Sequence, residues 1–211
     1  MAARPLRIVV LVIVAFGAGL LLARLMAPAR VTLPQTQRAT VFSTPRALPP
    51  LELMDQDGRP LGPAFFDGHW TLVFFGFTQC PDICPTTLAT LAQVTRQLQD
   101  LPAGRQPRVL LISVDPERDP PEILAPYVRF FDPRFLGATG SLEATAAAAS
   151  AFSIPYAKVS LPEGGYTLDH GSGVSLVGPE GGVVAYFSAP HEAATIAGDY
   201  RAIVEHLGTN R

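Results

Sequence analysis

The stretch that determines the fold of this chain reads WTLVFFGFTQCPDICPTTL and covers residues 70–88. Residues 71–75 have the length and β-preference of a buried strand, a glycine opens a tight turn, and Pro85 stands where a helix can begin. Cys80 and Cys84, the only cysteines in the chain, therefore lie at a strand-to-helix junction. Free backbone N–H groups and the positive end of a helix dipole favour the thiolate form there. Thiolates bind soft metal ions or carry out redox chemistry.

Strand-like and helix-like segments alternate along the chain from residue 51. Strands are predicted over residues 51–54, 70–75, 109–114, 156–161, 172–177 and 183–187. Helices are predicted over residues 86–101, 121–131, 141–152 and 193–207. The continuous apolar run at 109–114 is typical of a strand that is buried on both faces. Alternation of this kind predicts an α/β domain whose sheet carries helices on both faces.

An apolar segment lies near the N-terminus. Residues 8–23 are uncharged and mostly apolar, and Arg4 and Arg7 precede them. At the usual helical rise this segment spans about 24 Å, slightly less than the ~30 Å hydrocarbon core of a bilayer. We expect residues 1–29 to form a transmembrane anchor, although Ala27-Pro28-Ala29 also fits the cleavage pattern of an export signal.

Residues 30–50 contain four prolines among Thr, Gln and Ser and few large apolar residues. This composition predicts an extended, Pro-rich tether. The remaining residues, 51–211, have the length of one compact domain.

The charge of the chain is uneven. Residues 1–30 contain four of the 16 basic residues and no acidic residue, so residues 31–211 have 12 basic against 18 acidic residues, a formal charge of −6. An acidic domain of this kind argues against nucleic acid as a partner.

The spacing of Cys80 and Cys84 permits two kinds of chemistry. Residues four apart at a helix start share one face, with α-carbons about 6 Å apart. That distance allows a disulfide, and it also allows both sulfurs to reach one metal ion. Because two thiolates rarely complete a transition-metal site, a metal-binding role calls for an imidazole as well.

The chain offers four histidines as candidates for that imidazole. His69 precedes a predicted strand, and His191 and His206 lie at the start and in the last turn of the final predicted helix, so structural or solvated roles are expected for these three. His170 lies in a glycine-flanked loop that leads into a strand, and Asp169 is placed to orient its ring. Composition alone leaves the role of His170 open.

Three blocks occur in order along the chain: FGFTQCPDICPTTL at 75–88, SVDPERD at 113–119 and DH at 169–170. In these blocks and their intervals the chain resembles the Sco (SenC) family, membrane-anchored copper-binding proteins that help assemble cytochrome c oxidase. The resemblance covers essentially the whole domain. It implies a thioredoxin-like (peroxiredoxin-like) fold with a central mixed sheet flanked by helices, preceded by an N-terminal transmembrane helix.

The resemblance also implies the site. Cys80, Cys84 and His170 together would bind copper, as Cu(I) and Cu(II), and the two cysteines would form a disulfide when oxidised. Gln79 stands where many family members have a histidine, which removes one nearby imidazole and leaves the three ligands whole. Two thiolates and one imidazole make a soft, open site suited to Cu(I) and to its transfer.

Acidic residues near the predicted ligands are candidates for supporting roles. Asp82 and Asp169 are candidates to tune or orient the ligands from behind, and Asp82 is equally suited to capping a helix. Residues 115–119 follow a predicted central strand, and we expect a structural turn there in which Arg118 pairs with a neighbouring acid.

The leading hypothesis is a copper metallochaperone that delivers copper to the binuclear copper centre of a cytochrome c oxidase subunit. The alternative is a thiol-disulfide reductase that uses Cys80 and Cys84 as a redox pair to reduce that subunit's cysteines. Thioredoxin-type reductases use a Cys-x-x-Cys spacing, one residue shorter than the spacing here, and have no need of His170. A peroxidase with a single reactive cysteine is a weaker third hypothesis.

We expect the domain to face the bacterial periplasm from the inner membrane. Abundant alanine and an excess of Arg over Lys favour a bacterial source, and no mitochondrial targeting stretch precedes residue 8. The expected partners are the copper-receiving oxidase subunit, another periplasmic copper chaperone or thiol reductase, and the membrane through the N-terminal segment.

Overall fold

A computed structural model describes residues 11, 13–22 and 33–209 of the chain. Residues 13–22 are helical with exposed side chains, and the unit that contains the cysteines begins at Leu33. Within the described residues, no helix combines the length and the apolar character that crossing a membrane requires. The rest of the predicted anchor, residues 1–10, 12 and 23–29, lies outside the described residues.

The described residues form ten strands in two separate sheets. They are β1 Ala39–Ala47, β2 Leu53–Asp55, β3 Pro60–Leu61, β4 Trp70–Gly76, β5 Pro107–Ser113, β6 Leu136–Gly140, β7 Tyr156–Ser160, β8 Tyr166–His170, β9 Val174–Val177 and β10 Gly182–Phe187. The main sheet has the order β1-β10-β9-β4-β5-β6-β2-β3, and β7 pairs only with β8. Strands β4, β5 and β6 are parallel and the other pairs are antiparallel, so the main sheet is mixed.

The described part of the domain has four α-helices: α1 Ile83–Gln97, α2 Pro121–Phe131, α3 Leu142–Ala151 and α4 Ala193–Thr209. Helix α1 packs against α4, and α2 and α3 pack against β6. Ser141 caps α3, because its side-chain oxygen accepts the N–H of Ala144 at 3.1 Å. The predicted α/β fold with a mixed central sheet is confirmed.

The centre of the core is formed by β4 and β5. Every residue of β4 is buried, and Val109 to Ser113 of β5 are buried as well. Each large apolar side chain removed from water there contributes roughly 1.5–3 kcal/mol. Because β4 and β5 are parallel, their carboxyl ends meet at one edge of the sheet, where the loop with the cysteines and residues 115–119 both begin.

The predicted tether is wrong for residues 39–47, which form β1 at the edge of the main sheet. Pro45 favours the prediction of a linker here, because proline has no backbone N–H to donate to a neighbouring strand. It is tolerated because β1 is an edge strand whose register shifts between Val41 and Arg46. Only Ala39 of the strand is fully buried, so β1 also lacks the apolar alternation of a typical strand.

His170 is the last residue of β8, opposite Tyr156 on β7, rather than part of a loop. The β7–β8 hairpin turns at Gly164 and Gly165, both with positive φ (93° and 81°). Strand β7 agrees with the strand predicted over residues 156–161, whereas β8 occupies residues for which the sequence predicts no strand.

Candidate metal site

Cys80, Cys84 and His170 converge at the carboxyl end of β4. One ligand atom from each residue lies within 4.8 Å of the others. The Sγ of Cys84 is 3.3 Å from Nε2 of His170, and its backbone N–H points to Sγ of Cys80 at 3.5 Å. Among the described residues, this is the group of Cys, His and acidic side chains that has the geometry to hold one metal ion.

The cysteines are positioned by the junction between β4 and α1. A tight turn follows β4, in which the N–H of Cys80 donates to the carbonyl of Phe77 at 3.3 Å. Cys84 lies in the first turn of α1 and points back at the strand. A Cβ atom on Gly76 would lie only 2.9 Å from Sγ of Cys84, so this position has room for glycine alone.

The two thiols differ in burial. Cys84 is fully buried and Cys80 is half-buried, and neither is in a disulfide. Burial raises the pKa of Cys84 well above its ordinary value, and a hydrogen bond from the backbone of Phe77 opposes this only in part. Burial of Cys84 therefore opposes the preference for the thiolate that its position at a helix start predicts.

His170 presents the correct nitrogen for a metal ligand. Its Nδ1 lies 3.1 Å from the carbonyl of Gly171. A carbonyl only accepts, so Nδ1 carries the proton and Nε2 keeps the free lone pair that faces Cys84. Burial lowers the pKa of the imidazole, which favours the neutral form that binds metals.

Two aromatic rings enclose the imidazole. Phe74 and Phe77 both contact it edge-on, with ring centroids 6.0 and 5.9 Å away. Both phenylalanines are buried, and they shield one side of the site from water. The ligand set is thus two sulfurs and one neutral imidazole in a partly apolar site, a set that suits a soft ion of low coordination number.

The family model described as SCO1/SenC matches residues 42–205. The chain belongs to the SCO1/SenC family. The resemblance found in the sequence is thereby confirmed, and the match includes all three candidate ligands.

Individual SCO1/SenC relatives agree with the family match. The chain is 41% identical to the mitochondrial SCO2 homolog of Bos taurus over 71% of this chain, and it spans 56% of that relative's length. Among solved structures it is similar to Arabidopsis thaliana ScoI with copper bound (TM-score 0.69, 31% identity, 77% of this chain and 98% of that one). It is also similar to Bradyrhizobium japonicum ScoI with copper bound (TM-score 0.66, 32% identity, 74% and 99%).

Asp82 and Asp169 of this SCO1/SenC protein are both exposed. Asp82 occupies the N-cap position of α1 without a capping hydrogen bond, and its carboxylate lies 3.5 Å from the hydroxyl of Thr86. Asp169 acts on His170 through its charge, which raises the pKa of the imidazole and so opposes the larger effect of burial. The hydrogen bond that orients the ring is the one that Nδ1 of His170 donates to the carbonyl of Gly171. Supporting roles for the two aspartates stay predictions.

The carboxylate of Asp119 holds the cysteine loop in this SCO1/SenC protein, although the sequence predicts only a structural turn there. Asp119 is buried and accepts hydrogen bonds from the backbone N–H of Thr78 (3.0 Å), the Thr78 hydroxyl and the Ser113 hydroxyl (2.6 Å). Burial raises the pKa of Asp119, and these donors lower it. Its neighbour Arg118 pairs with Asp115, as predicted.

The other histidines lie away from the three ligands. His69 is exposed before β4, and His206 lies in the last turn of α4. Nε2 of His191 donates to the carbonyl of Ser172 at 2.7 Å, which holds the chain just after His170. The structural role expected for His191 therefore includes support of the loop beside the site.

Proposed function

We propose that this protein is a copper metallochaperone that binds one copper ion as cargo through Cys80, Cys84 and His170. The observation that carries the proposal is the arrangement of the ligands. Two thiol sulfurs and an unprotonated imidazole nitrogen lie within 4.8 Å of one another. The solved structures of two ScoI relatives with copper bound support copper as the ion.

The residues of the site suit loading and release. Copper would displace the proton of the buried Cys84 thiol, while the neutral His170 requires no deprotonation at Nε2. Cys80 is only half-buried, so a ligand from another protein can approach the ion from its side. A disulfide between Cys80 and Cys84 would remove both sulfur ligands and couple copper binding to the redox state of the compartment.

We propose that the recipient is the binuclear copper centre of a cytochrome c oxidase subunit. This rests on membership of the SCO1/SenC family and the oxidase-assembly role that the family resemblance implies. The apolar segment at 8–23 supports an inner-membrane anchor, and the redox-active cysteine pair supports a domain in the periplasm. Another periplasmic chaperone or a thiol reductase would load or reduce the site.

The thiol-disulfide reductase remains the second candidate, because both cysteines are free and adjacent. The two functions place different demands on His170. A copper carrier needs its imidazole as a ligand, whereas a reductase needs only the sulfurs.

The test is a Cu(I) competition titration of the reduced full chain in detergent, alongside His170→Ala and the control His69→Ala. The imidazole of His69 is exposed and precedes β4, at the opposite end of that strand from the cysteines. We expect one equivalent of tight binding, weakened at least about tenfold by His170→Ala and unchanged in the control. Weak binding that is the same in all three proteins, with intact reduction of a disulfide substrate, would favour the reductase.

A further inference from the structure

The ligands of the site belong to two different sheets. Cys80 and Cys84 follow β4 of the main sheet, and His170 ends β8 of the separate hairpin. No ladder of hydrogen bonds joins β8 to the main sheet within the described residues. The distance between the imidazole and the sulfurs is therefore set by the short link from His170 to β9 and by side chains that bridge the hairpin and the main sheet.

Arg118 makes these bridging contacts. Its Nη1 donates to the backbone carbonyl of Tyr166, the first residue of β8, and to Oε1 of Gln79, the residue before Cys80, both at 3.1 Å. Its guanidinium also lies 3.8 Å from the centre of the Tyr166 ring. One side chain thus holds the strand of His170 and the loop of Cys80 at the same time.

The guanidinium is itself fixed by a buried carboxylate. Asp115 is 2% exposed and accepts from Nε of Arg118. The same carboxylate accepts the hydroxyl of Tyr166 at 2.8 Å. Arg118, Asp115 and Tyr166 therefore form a closed set of contacts between the end of β5 and the start of β8, and a planar guanidinium is the group that can donate in several fixed directions at once.

A second anchor lies on the other side of His170. His191 holds the carbonyl of Ser172, and the chain then enters β9 of the main sheet. Arg118 and His191 therefore hold the backbone on either side of His170. Loss of the Arg118 anchor would free the imidazole to move, whereas Asp119 would still hold the cysteine loop through Thr78.

We propose that Arg118 is a positioning residue that keeps the imidazole of His170 at ligand distance from the two sulfurs, so that Cu(II) binding depends on it more than Cu(I) binding does. Cu(I) is soft and takes most of its stabilisation from the two thiolates, so it tolerates a displaced imidazole better than Cu(II), which favours nitrogen ligands and a higher coordination number. This inference rests on the copper site of the proposed function. It predicts that the two oxidation states respond differently to one substitution outside the ligand set.

The test compares the full chain with Arg118→Met, which keeps the length and apolar character of the stem and removes the donors. Cu(II) is added to the reduced protein under anaerobic conditions, and its binding is followed by thiolate-to-Cu(II) absorption and by the nitrogen coupling in the electron paramagnetic resonance spectrum. Cu(I) binding is measured by competition. We expect Cu(II) affinity to fall about 10–100-fold with loss of nitrogen coupling, and Cu(I) affinity to fall by a clearly smaller factor, less than the loss expected for His170→Ala.

Two further proteins keep the test decisive. Arg118→Met leaves Asp115 as an unpaired buried charge, so the double variant Asp115→Asn/Arg118→Met is measured as well, with the same expected pattern. Arg129→Gln is the matched control, because Arg129 also pairs with an aspartate, Asp57, on an exposed part of the domain. It should bind both ions as the wild type does.

The outcomes separate this inference from the proposed function. Wild-type protein that fails to bind copper through the three ligands contradicts the proposed function itself. Wild-type binding with equal losses of Cu(I) and Cu(II) affinity in both Arg118 variants, or with no loss of either, overturns the positioning role and leaves the copper site standing.

Discussion

At the residue scale, the site depends on one position that has no side chain. Gly76 ends β4, and a Cβ there would lie 2.9 Å from Sγ of Cys84 and 3.0 Å from the ring of Phe74. Both neighbours are fully buried and have little freedom to move aside. The location of the buried sulfur is thus set by the backbone of β4 as much as by the helix that carries it.

We therefore predict that Gly76→Ala displaces the sulfur of Cys84. Overpacking in a filled core costs about 1–3 kcal/mol, and Cu(I) affinity should fall about tenfold because one ligand is moved. Thermal unfolding and the Cu(I) titration check this. Gly104→Ala is the control, since a Cβ on Gly104 meets open space and should change neither quantity. Equal copper affinity in the two variants would contradict the prediction.

At the scale of elements, the loop between β4 and α1 is held from the end of β5. Asp119 accepts three hydrogen bonds, two of them from Thr78 in the cysteine loop. Asp119→Ala leaves these buried donors without an acceptor, which should cost about 2–3 kcal/mol, and it frees the segment that carries Cys80. We expect a lower unfolding temperature together with weaker Cu(I) binding.

A second buried aspartate provides the comparison for Asp119. Asp132 follows α2 and pairs with Arg134, so Asp132→Ala should also lower the unfolding temperature. Its copper affinity, measured on folded protein, should equal that of the wild type. If Asp119→Ala behaves in the same way, Asp119 supports the fold without positioning the cysteine loop.

The elements that the sequence predicted are those with a regular apolar pattern. Strands β4 and β5 are continuous apolar runs, and α1 repeats leucine at helical spacing, so their type follows from local sequence. Strand β6 was missed because it contains two glycines. Gly137 faces Leu124 and Val128 of α2, and its Cβ would meet them at 3.3 and 3.4 Å, so the glycine there reflects helix packing rather than a turn.

Local sequence likewise predicts one part of the candidate site and not the other. The cysteine pair and its strand-to-helix setting follow from adjacent residues, whereas His170 was selected through the family resemblance. Its approach to Cys84 depends on a hairpin that pairs with no other strand in the described domain, and on contacts from residues 115–119 that are far away in sequence. No local pattern encodes such contacts between distant segments.

At the scale of the whole molecule, a carboxylate on the last helix joins that helix to the first strand of the domain. Asp199 on α4 is 2% exposed and accepts the backbone N–H groups of residues 37, 38 and 39 at 2.7, 2.8 and 2.8 Å. This contact joins the start of β1 to the last helix. The compact unit therefore begins at Leu33 rather than at residue 51, where sequence analysis placed its start.

We predict that Asp199→Ala destabilises the domain without altering the copper site. Three backbone donors would lose their acceptor, which should cost about 3 kcal/mol and lower the unfolding temperature by roughly 6–12 °C for a domain of this size. Asp100→Ala is the control, because Asp100 is exposed and pairs only at the surface with Arg201, and it should unfold close to the wild-type temperature. Cu(I) affinity below the unfolding transition should be equal in all three proteins. A shift no larger than that of Asp100→Ala would show that residues 33–47 fold independently of α4, as a tether would, and would return the domain boundary to residue 51.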